Sequence, residues 1–240
     1  MINTGRQTLI SGELAASKSR EALKVALCSM RQSFGFDHVS LFRVPSEQEK
    51  TLGPHIHETT LPASFIRELD RSQLLTVCPL MQRLRASMMP QMWSLEDIIL
   101  TDAKPALAEL CDLYARHNLQ GGVAITYFLS DGNRYGLRFD GNRQALLQSE
   151  VNEISLLSLQ ALDAFGQMHI ARDSQHSPLS SRELEVVGWT AQGKTSVEIG
   201  QILTLSDHTV NAYLTNAIRK LDCVNRTQLV AKALRLKLIA

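Results

Sequence analysis

Apolar positions recur at helical spacing over residues 11–33, where Leu14, Leu23, Ala26, Leu27 and Met30 predict an amphipathic helix. Looser alternation over 36–44 (Phe-Asp-His-Val-Ser-Leu-Phe-Arg-Val) predicts a strand, with a weaker one over 55–61. Helices are predicted over 61–75 and 77–87, with Pro79 in the first turn of the second. Residues 104–117 gather Leu107, Leu110, Cys111 and Tyr114 on one helical face. Two strong strands, 122–129 and 134–140, flank a hairpin turn over 130–133 that contains Asp131-Gly132. A long helix follows over 142–171, with Leu146, Leu147, Val151, Ile154, Leu157, Ala161, Leu162, Phe165 and Met168. Strands that pair as hairpins between helices predict an α+β fold with an antiparallel sheet, not a doubly wound parallel one.

From 178 onward the pattern changes to four short, well-punctuated helices. Ser180-Ser-Arg-Glu183 and Thr195-Ser-Val-Glu198 each have the form of a capping box, and Gly193 ends the first helix. Ser206 is an N-cap for the third helix, whose core stripe is Val210, Leu214, Ala217, Ile218 and Leu221. The fourth begins near Asn225 and carries Leu229, Val230, Ala233 and Leu234. Short helices joined by a tight turn over 204–206 are what a helix-turn-helix requires. Opposite the core stripe, the third helix presents His208, Asn211, Thr215 and Arg219, a hydrogen-bonding face without an acid. Such a face suits the major groove, where Asn reads adenine and Arg reads guanine. Lys194, Thr195 and Ser196 at a helix start are candidate phosphate contacts, as are Lys220 and Arg226. On spacing alone, a solvated polar face on an ordinary helical bundle is the lesser alternative.

Charge sharpens the division. The 240 residues hold 25 Lys+Arg against 24 Asp+Glu, a net +1 that by itself gives no hint of nucleic acid. Residues 1–173 carry 17 basic and 19 acidic side chains, and residues 174–240 carry 8 and 5. A mildly acidic part is thus joined to a small basic one, a pointer to an anionic partner. The boundary, 171–180, lacks apolar periodicity and contains Pro178. This predicts an N-terminal domain over 1–172, a linker over 173–179 and a second domain over 180–240. At 44% hydrophobic and 20% charged residues, the composition is that of a globular protein.

Other classes find little support. No apolar run reaches the roughly 18–20 residues of a membrane span, and the start lacks a basic-then-apolar signal peptide. Cys28, Cys78, Cys111 and Cys223 are far apart, which fits a reducing cytoplasm better than a disulfide framework or zinc site. No hydrolase elbow, Walker loop, dinucleotide fingerprint or zincin motif occurs. His55-x-His57 comes nearest to a metal pair but has no evident third ligand, and chance alternation on a strand explains it better. Neither an enzyme nor a metal site is expected. A phosphorylation-driven receiver would need alternating βα units, which the hairpin around Asp131 contradicts.

Read in order, Leu179-Ser-Ser-Arg-Glu-Leu-Glu-Val-Val, Ala191-Gln-Gly-Lys-Thr, Glu198-Ile-Gly, Thr209-Val-Asn, Lys220-Leu and Asn225-Arg-Thr closely resemble the LuxR-type helix-turn-helix. The resemblance covers about 178–239. It implies an all-α four-helix DNA-binding domain, a recognition helix at about 206–221 that includes Thr209, and dimerisation through the last helix. On that reading Val230, Ala233 and Leu234 are interface as well as core. Asn211 stands where many members have Lys, which favours a base reader over a phosphate contact there. Trp189 reads as core.

A second resemblance covers about 10–170. Leu61-Pro-Ala-Ser-Phe65, Cys78-Pro79, Met92-Trp93-Ser94 and His117-Asn-Leu-Gln-Gly121-Gly are similar to the autoinducer-binding domain of quorum-sensing LuxR-type regulators. The implied fold is an α-β-α sandwich around a five-stranded antiparallel sheet, with an acyl-homoserine lactone between the sheet and one helix layer. The family's pattern of Trp, Tyr, Asp, Pro, Trp and Gly falls here on Phe65, Leu69, Cys78, Pro79, Trp93 and Gly121. Cys78 replaces the carboxylate that accepts from the ligand amide, and Leu69 replaces the hydroxyl that reaches its carbonyl. Each lost partner costs about 1–3 kcal/mol. Together they weaken binding by about tens- to thousands-fold.

Phe65, Leu69, Cys78 and Trp93, with Gly121 and Tyr127 beside them, therefore form a packed core, a site for a less polar ligand, or a weakened lactone pocket. No cofactor is expected; a small-molecule ligand is a candidate, and the missing anchors argue against an acyl-homoserine lactone. The leading function is a dimeric transcription regulator reading a dyad operator in double-stranded DNA. The alternative is an interaction protein that heterodimerises with, or sequesters, a related regulator. RNA polymerase is a further candidate partner, and a membrane is not.

Overall fold

The computed structural model describes every residue except 1–3, 102–104, 130, 176–177, 237 and 240. The chain divides into two compact units, Met1–Ile170 and Ala171–Ala240. None of its described helices is long and apolar enough to cross a membrane.

The first unit is the α-β-α sandwich that the second resemblance implies. Five strands, β1 (His38–Arg43), β2 (Ile56–Thr59), β3 (Gln91–Ser94), β4 (Gly121–Phe128) and β5 (Arg134–Gly141), form an antiparallel sheet in the order β2-β1-β5-β4-β3. Strand alternation sends Val39, Leu41, Val123, Ile125, Leu137 and Phe139 to one face. There they pack on α1 (Thr4–Ala16), α2 (Arg20–Ser33) and α7 (Gln148–Gln175). Phe42, Trp93 and Ala124 point to the other face, against α3 (Ala63–Arg71), α4 (Pro79–Ala86), α5 (Leu95–Thr101) and α6 (Pro105–Arg116). Each fully buried aliphatic or aromatic side chain contributes about 1.5–3 kcal/mol. The sheet thus buries apolar side chains on both sides, as its position between two helix layers demands.

Local chemistry explains the departures from the sequence pattern. The single helix expected over 11–33 is two, because Ser19 takes an extended conformation and its side chain caps α2 at Ala22 N. The helix expected over 61–75 stops at Arg71; Gln73 is left-handed (φ 51°), and a 3-10 turn, Leu74–Val77, follows. A short turn, Gly53–His55, precedes β2. β3 and α5 were not anticipated, being too short to show a period. α7 starts at Gln148 rather than 142 and runs to Gln175, past the end expected for it. In the β4–β5 hairpin Gly132 takes φ 72° and the Asp131 carboxylate accepts from Asn133 N, while Ser130 of the expected turn and Lys104 of the expected helix lie outside the described residues.

The second unit has four helices: α8 (Ser181–Ala191), α9 (Ser196–Leu203), α10 (Asp207–Lys220) and α11 (Arg226–Arg235). Both capping boxes form, with Ser180 paired to Glu183 and Thr195 to Glu198. Gly193 (φ 83°) closes α8; its N–H reaches Thr190 O, and Lys194 N–H reaches Trp189 O, a Schellman motif. Ser206 caps α10 and Asn225 caps α11. Val186, Val187, Ile199, Val210, Leu214, Ala217, Leu221, Leu229 and Ala233 form the core, with Trp189 packed against it.

Candidate functional site

The turn between α9 and α10 fixes how α10 is presented. Thr204 is left-handed (φ 56°), and Gly200 lies so close to the turn that a Cβ there would sit 2.6 Å from Leu205 O. At 3.6 residues per turn, His208, Asn211, Ala212, Thr215 and Arg219 fall within an arc of about 100°. All five are exposed, and the buried Val210, Leu214, Ala217 and Leu221 lie on the opposite side. The polar face expected on the third helix is therefore present and free of the core.

The other expected contacts differ in how committed they are. Asn211 Oδ1 accepts from Ser196 Oγ at 2.7 Å, which ties the start of α9 to α10. Thr215 Oγ1 donates back to Asn211 O. Thr209 is half-buried and shares a hydrogen bond with Ser206. Thr195 is consumed by its capping box, and Lys194 Nζ lies 3.6 Å from Glu198. Lys220 has an internal partner: its ammonium lies 2.7 Å from the Glu183 carboxylate, which is almost fully buried. Burial would raise the Glu183 pKa, but Lys220 and the Ser180 donors outweigh it and hold the group below its ordinary value. Arg226 Nη2 donates to Lys194 O at 2.5 Å and to Thr190 Oγ1 at 3.2 Å, stapling α11 to the end of α8. On α11, Ala233 is core, Val230 half-buried and Leu234 exposed.

In the sandwich, Phe65, Leu69, Cys78 and Trp93 come together on the face covered by α3, α4 and α6, all buried. Tyr114 joins them: its ring lies 5.7 Å from Phe65 and 5.1 Å from Trp93, and its hydroxyl is 3.8 Å from Cys78 Sγ. Gly121 is buried at the start of β4, opposite Ser94, where a Cβ would approach Trp93 O to 3.0 Å. Tyr127 does not line this region. It has the strand parity of Val123 and Ile125, which face the other helix layer, and it is 41% exposed.

Two residues that sequence reasoning passed over complete the cluster. Arg138 and Asp140 project from β5 onto this face, and both are buried. Arg138 Nε donates to Asp140 Oδ1 at 2.6 Å, Arg138 Nη1 to Tyr114 OH at 3.2 Å, and Trp93 Nε1 to Asp140 Oδ1 at 3.1 Å. The guanidinium also lies over the Trp93 ring, 5.0 Å from its centroid. Gly122 makes the Trp93–Asp140 bond possible, since a Cβ there would stand 2.7 Å from Trp93 Nε1 and 2.1 Å from Phe139 O. Burial raises the Asp140 pKa against the opposing pull of Arg138 and Trp93, and it raises that of Tyr114 as well. The legible signal was charge at alternate positions of Tyr135-Gly-Leu-Arg-Phe-Asp-Gly141.

Nothing among the described residues groups three or more His, Cys, Asp or Glu side chains in a way that would hold a metal ion. A sensor-like sandwich followed by a helix-turn-helix unit defines a DNA-binding regulator by architecture. Residues 19–166 match the family described as "Autoinducer binding domain", and 177–233 match "Bacterial regulatory proteins, luxR family". The chain belongs to the LuxR-type transcriptional regulators with an autoinducer-binding domain. It is 27% identical to the transcriptional activator protein BjaR1 of Bradyrhizobium diazoefficiens, over 99% of this chain and 98% of that protein. It is 34% identical to the quorum sensing-dependent regulator RpaR of Rhodopseudomonas palustris, over 58% of this chain and 56% of that one. The crystal structure of Escherichia coli SdiA is similar over 99% of this chain and 98% of its own, with a TM-score of 0.68 at 24% identity, a likeness of fold.

Proposed function

We propose that the protein works as a dimer on a two-fold DNA operator, with α10 in the major groove of each half-site. The observation that carries this reading is the exposed, acid-free face of His208, Asn211, Thr215 and Arg219, held clear of the core by the Gly200 turn. Asn211 and Arg219 are the base readers; Lys194, Ser196 and the start of α9 meet phosphate. Lys220 and Arg226 hold the domain together and contribute to phosphate binding only through donors left over. RNA polymerase is a further partner of a bound activator. As a reader of bacterial DNA, the protein works in the cytoplasm.

The N-terminal sandwich supplies dimerisation and sensing. Leu156 and Leu159 lie exposed on α7, with exposed Leu147 just before it, which favours that helix as the contact between subunits. The sandwich does not take an acyl-homoserine lactone as its obligatory signal. Leu69 and Cys78 offer no strong acceptor, and the buried Arg138–Asp140–Trp93–Tyr114 network occupies the middle of the same face. The test is a gel shift with full-length protein on dyad duplexes at low salt, with no lactone added. Asn211→Ala and Arg219→Ala are expected to relax sequence preference at one base pair each. Failure of the intact protein to bind any dyad duplex, with both variants indistinguishable from it, contradicts the proposal.

A further inference from the structure

The hydroxyls around the exposed face of α10 are bonded within the domain. Thr209 and Ser206 share a hydrogen bond three residues long, and Thr215 Oγ1 donates to Asn211 O one turn back, both local habits of Ser and Thr. Ser196 is different: its Oγ donates to Asn211 Oδ1 at 2.7 Å, across fifteen positions. That bond exists because the turn between the helices brings the first residue of α9 beside the second turn of α10. Ser196 is half-buried and Asn211 is exposed, so the bond lies at the rim of the face that Asn211 presents. A hydroxyl has one proton, and Ser196 has committed it. Its oxygen then offers only lone pairs, which no phosphate oxygen can use; what Ser196 keeps for phosphate is its backbone N–H at the helix start. Asn211 is left with more to give. Its Oδ1 can accept once more, and its Nδ2 protons have no partner among the described residues. The bond also sets which way round the amide lies. A half-turn would put Nδ2 against the hydroxyl and leave the Ser196 proton without its acceptor.

We infer that Ser196 is a positioning residue for base recognition: it fixes the Asn211 amide so that Oδ1 and Nδ2 present an acceptor beside a donor to an adenine in the major groove. Adenine shows the groove its N7 acceptor beside its N6 amino donor, and a carboxamide held in one orientation matches both at once. Guanine shows two acceptors, N7 and O6, so the oriented Oδ1 meets a like group there. The hydroxyl orders the amide before DNA arrives, which spares the ordering cost that an unfixed side chain meets on binding. A lysine at 211 has no acceptor for the Ser196 proton, so the pairing belongs to the asparagine of this chain. This inference rests on the reading of α10 as the major-groove helix.

The test uses full-length protein. Selection from a pool of dyad duplexes with randomised half-sites gives the preferred site, and the same selection with Asn211→Ala shows which base pair Asn211 reads. At that pair the unmodified protein is expected to favour adenine over guanine by about 5–100-fold. Binding is expected to weaken when that adenine is replaced by 7-deaza-adenine, which lacks the N7 acceptor, or by purine, which lacks the N6 amino group. Ser196→Ala is expected to cut the adenine preference by about 2–10-fold, as freeing one side chain implies, and to leave the other base pairs read as before. Ser196→Thr keeps the hydroxyl and restores the preference. In an Asn211→Ala background, Ser196→Ala should change no base preference. A Ser196→Ala loss that is equal at every base pair, which is what a phosphate contact or a weakened fold gives, would overturn the inference. So would a G·C pair preferred at the Asn211 position, or an Asn211→Ala selection that matches the unmodified one. Failure of the unmodified protein to bind any dyad duplex is a separate result: it removes the regulator reading and the base-reading claim with it. The pairing is then still decided in the free protein by the Asn211 side-chain amide resonances, expected to shift in Ser196→Ala and to return in Ser196→Thr; resonances that ignore Ser196→Ala would overturn it.

Discussion

Replacing Lys220 with Gln separates a structural role from a DNA contact. The Lys220 ammonium lies 2.7 Å from Glu183, whose side chain is 4% exposed while that of Lys220 is 39% exposed. Glu183 also accepts from Ser180 N–H in the α8 capping box. Removing the cation leaves a buried carboxylate with its cap but without its countercharge. A fully buried pair broken in this way loses about 3–5 kcal/mol. Solvent around Lys220 screens part of that, so the expected loss is about 1–2 kcal/mol. Hydrogen exchange read by mass spectrometry isolates α8 and α10, where that loss accelerates exchange by about 5–30-fold. The effect depends on pH in one direction. Glu183 has a folded pKa below its unfolded value, so its contribution is complete at neutral pH and is lost as pH falls through the folded pKa. The gap between Lys220→Gln and the unmodified protein therefore closes in acid, where Glu183 is protonated. Unchanged exchange at neutral pH, together with a salt dependence of DNA binding weakened by about one phosphate contact per subunit, would refute the reasoning and return Lys220 to the DNA backbone.

Three further outcomes are expected. Gly122→Ala places a Cβ 2.1 Å from Phe139 O, so it should cost more than about 3 kcal/mol and show as loss of soluble protein or a collapsed melting temperature. His57, enclosed beside His169 and the rings of Tyr135 and Phe165, has its pKa lowered by burial and then by His169 to about 4. It stays neutral in the folded protein; its contribution to stability is complete above about pH 6.5 and disappears as pH falls toward 4, which an imidazole titration by NMR would check. Trp93→Phe keeps an aromatic ring, though a smaller one, but removes a donor from buried Asp140, and should destabilise the sandwich by about 1–3 kcal/mol in thermal unfolding.

The helix-turn-helix unit was legible because its punctuation is local. Ser180, Thr195, Ser206 and Asn225 cap through bonds three residues long, and such bonds leave a mark in the sequence. The sandwich was legible in its strong strands and long helix, but not in β3, whose four residues are defined by pairing with β4 rather than by any period of their own. The cluster at Arg138 and Asp140 was hidden for a different reason. Alternating charges on a strand ordinarily mark a wet face, and here the second face lies beneath a helix layer. The ion pair of Lys220 with Glu183 and the hydrogen bond of Arg226 to Lys194 O join residues more than thirty positions apart, so spacing alone left both cations looking free for phosphate. Tyr127 was misplaced because the side to which a strand residue points depends on which neighbours are buried.

The most direct test of the central claim is native mass spectrometry of full-length protein, made in a host that synthesises no acyl-homoserine lactone and mixed with a dyad duplex. The expected species is two chains on one duplex, without added lactone and unchanged when lactone is supplied. A single chain per duplex, or a complex that forms only after an acyl-homoserine lactone is added, would contradict the account.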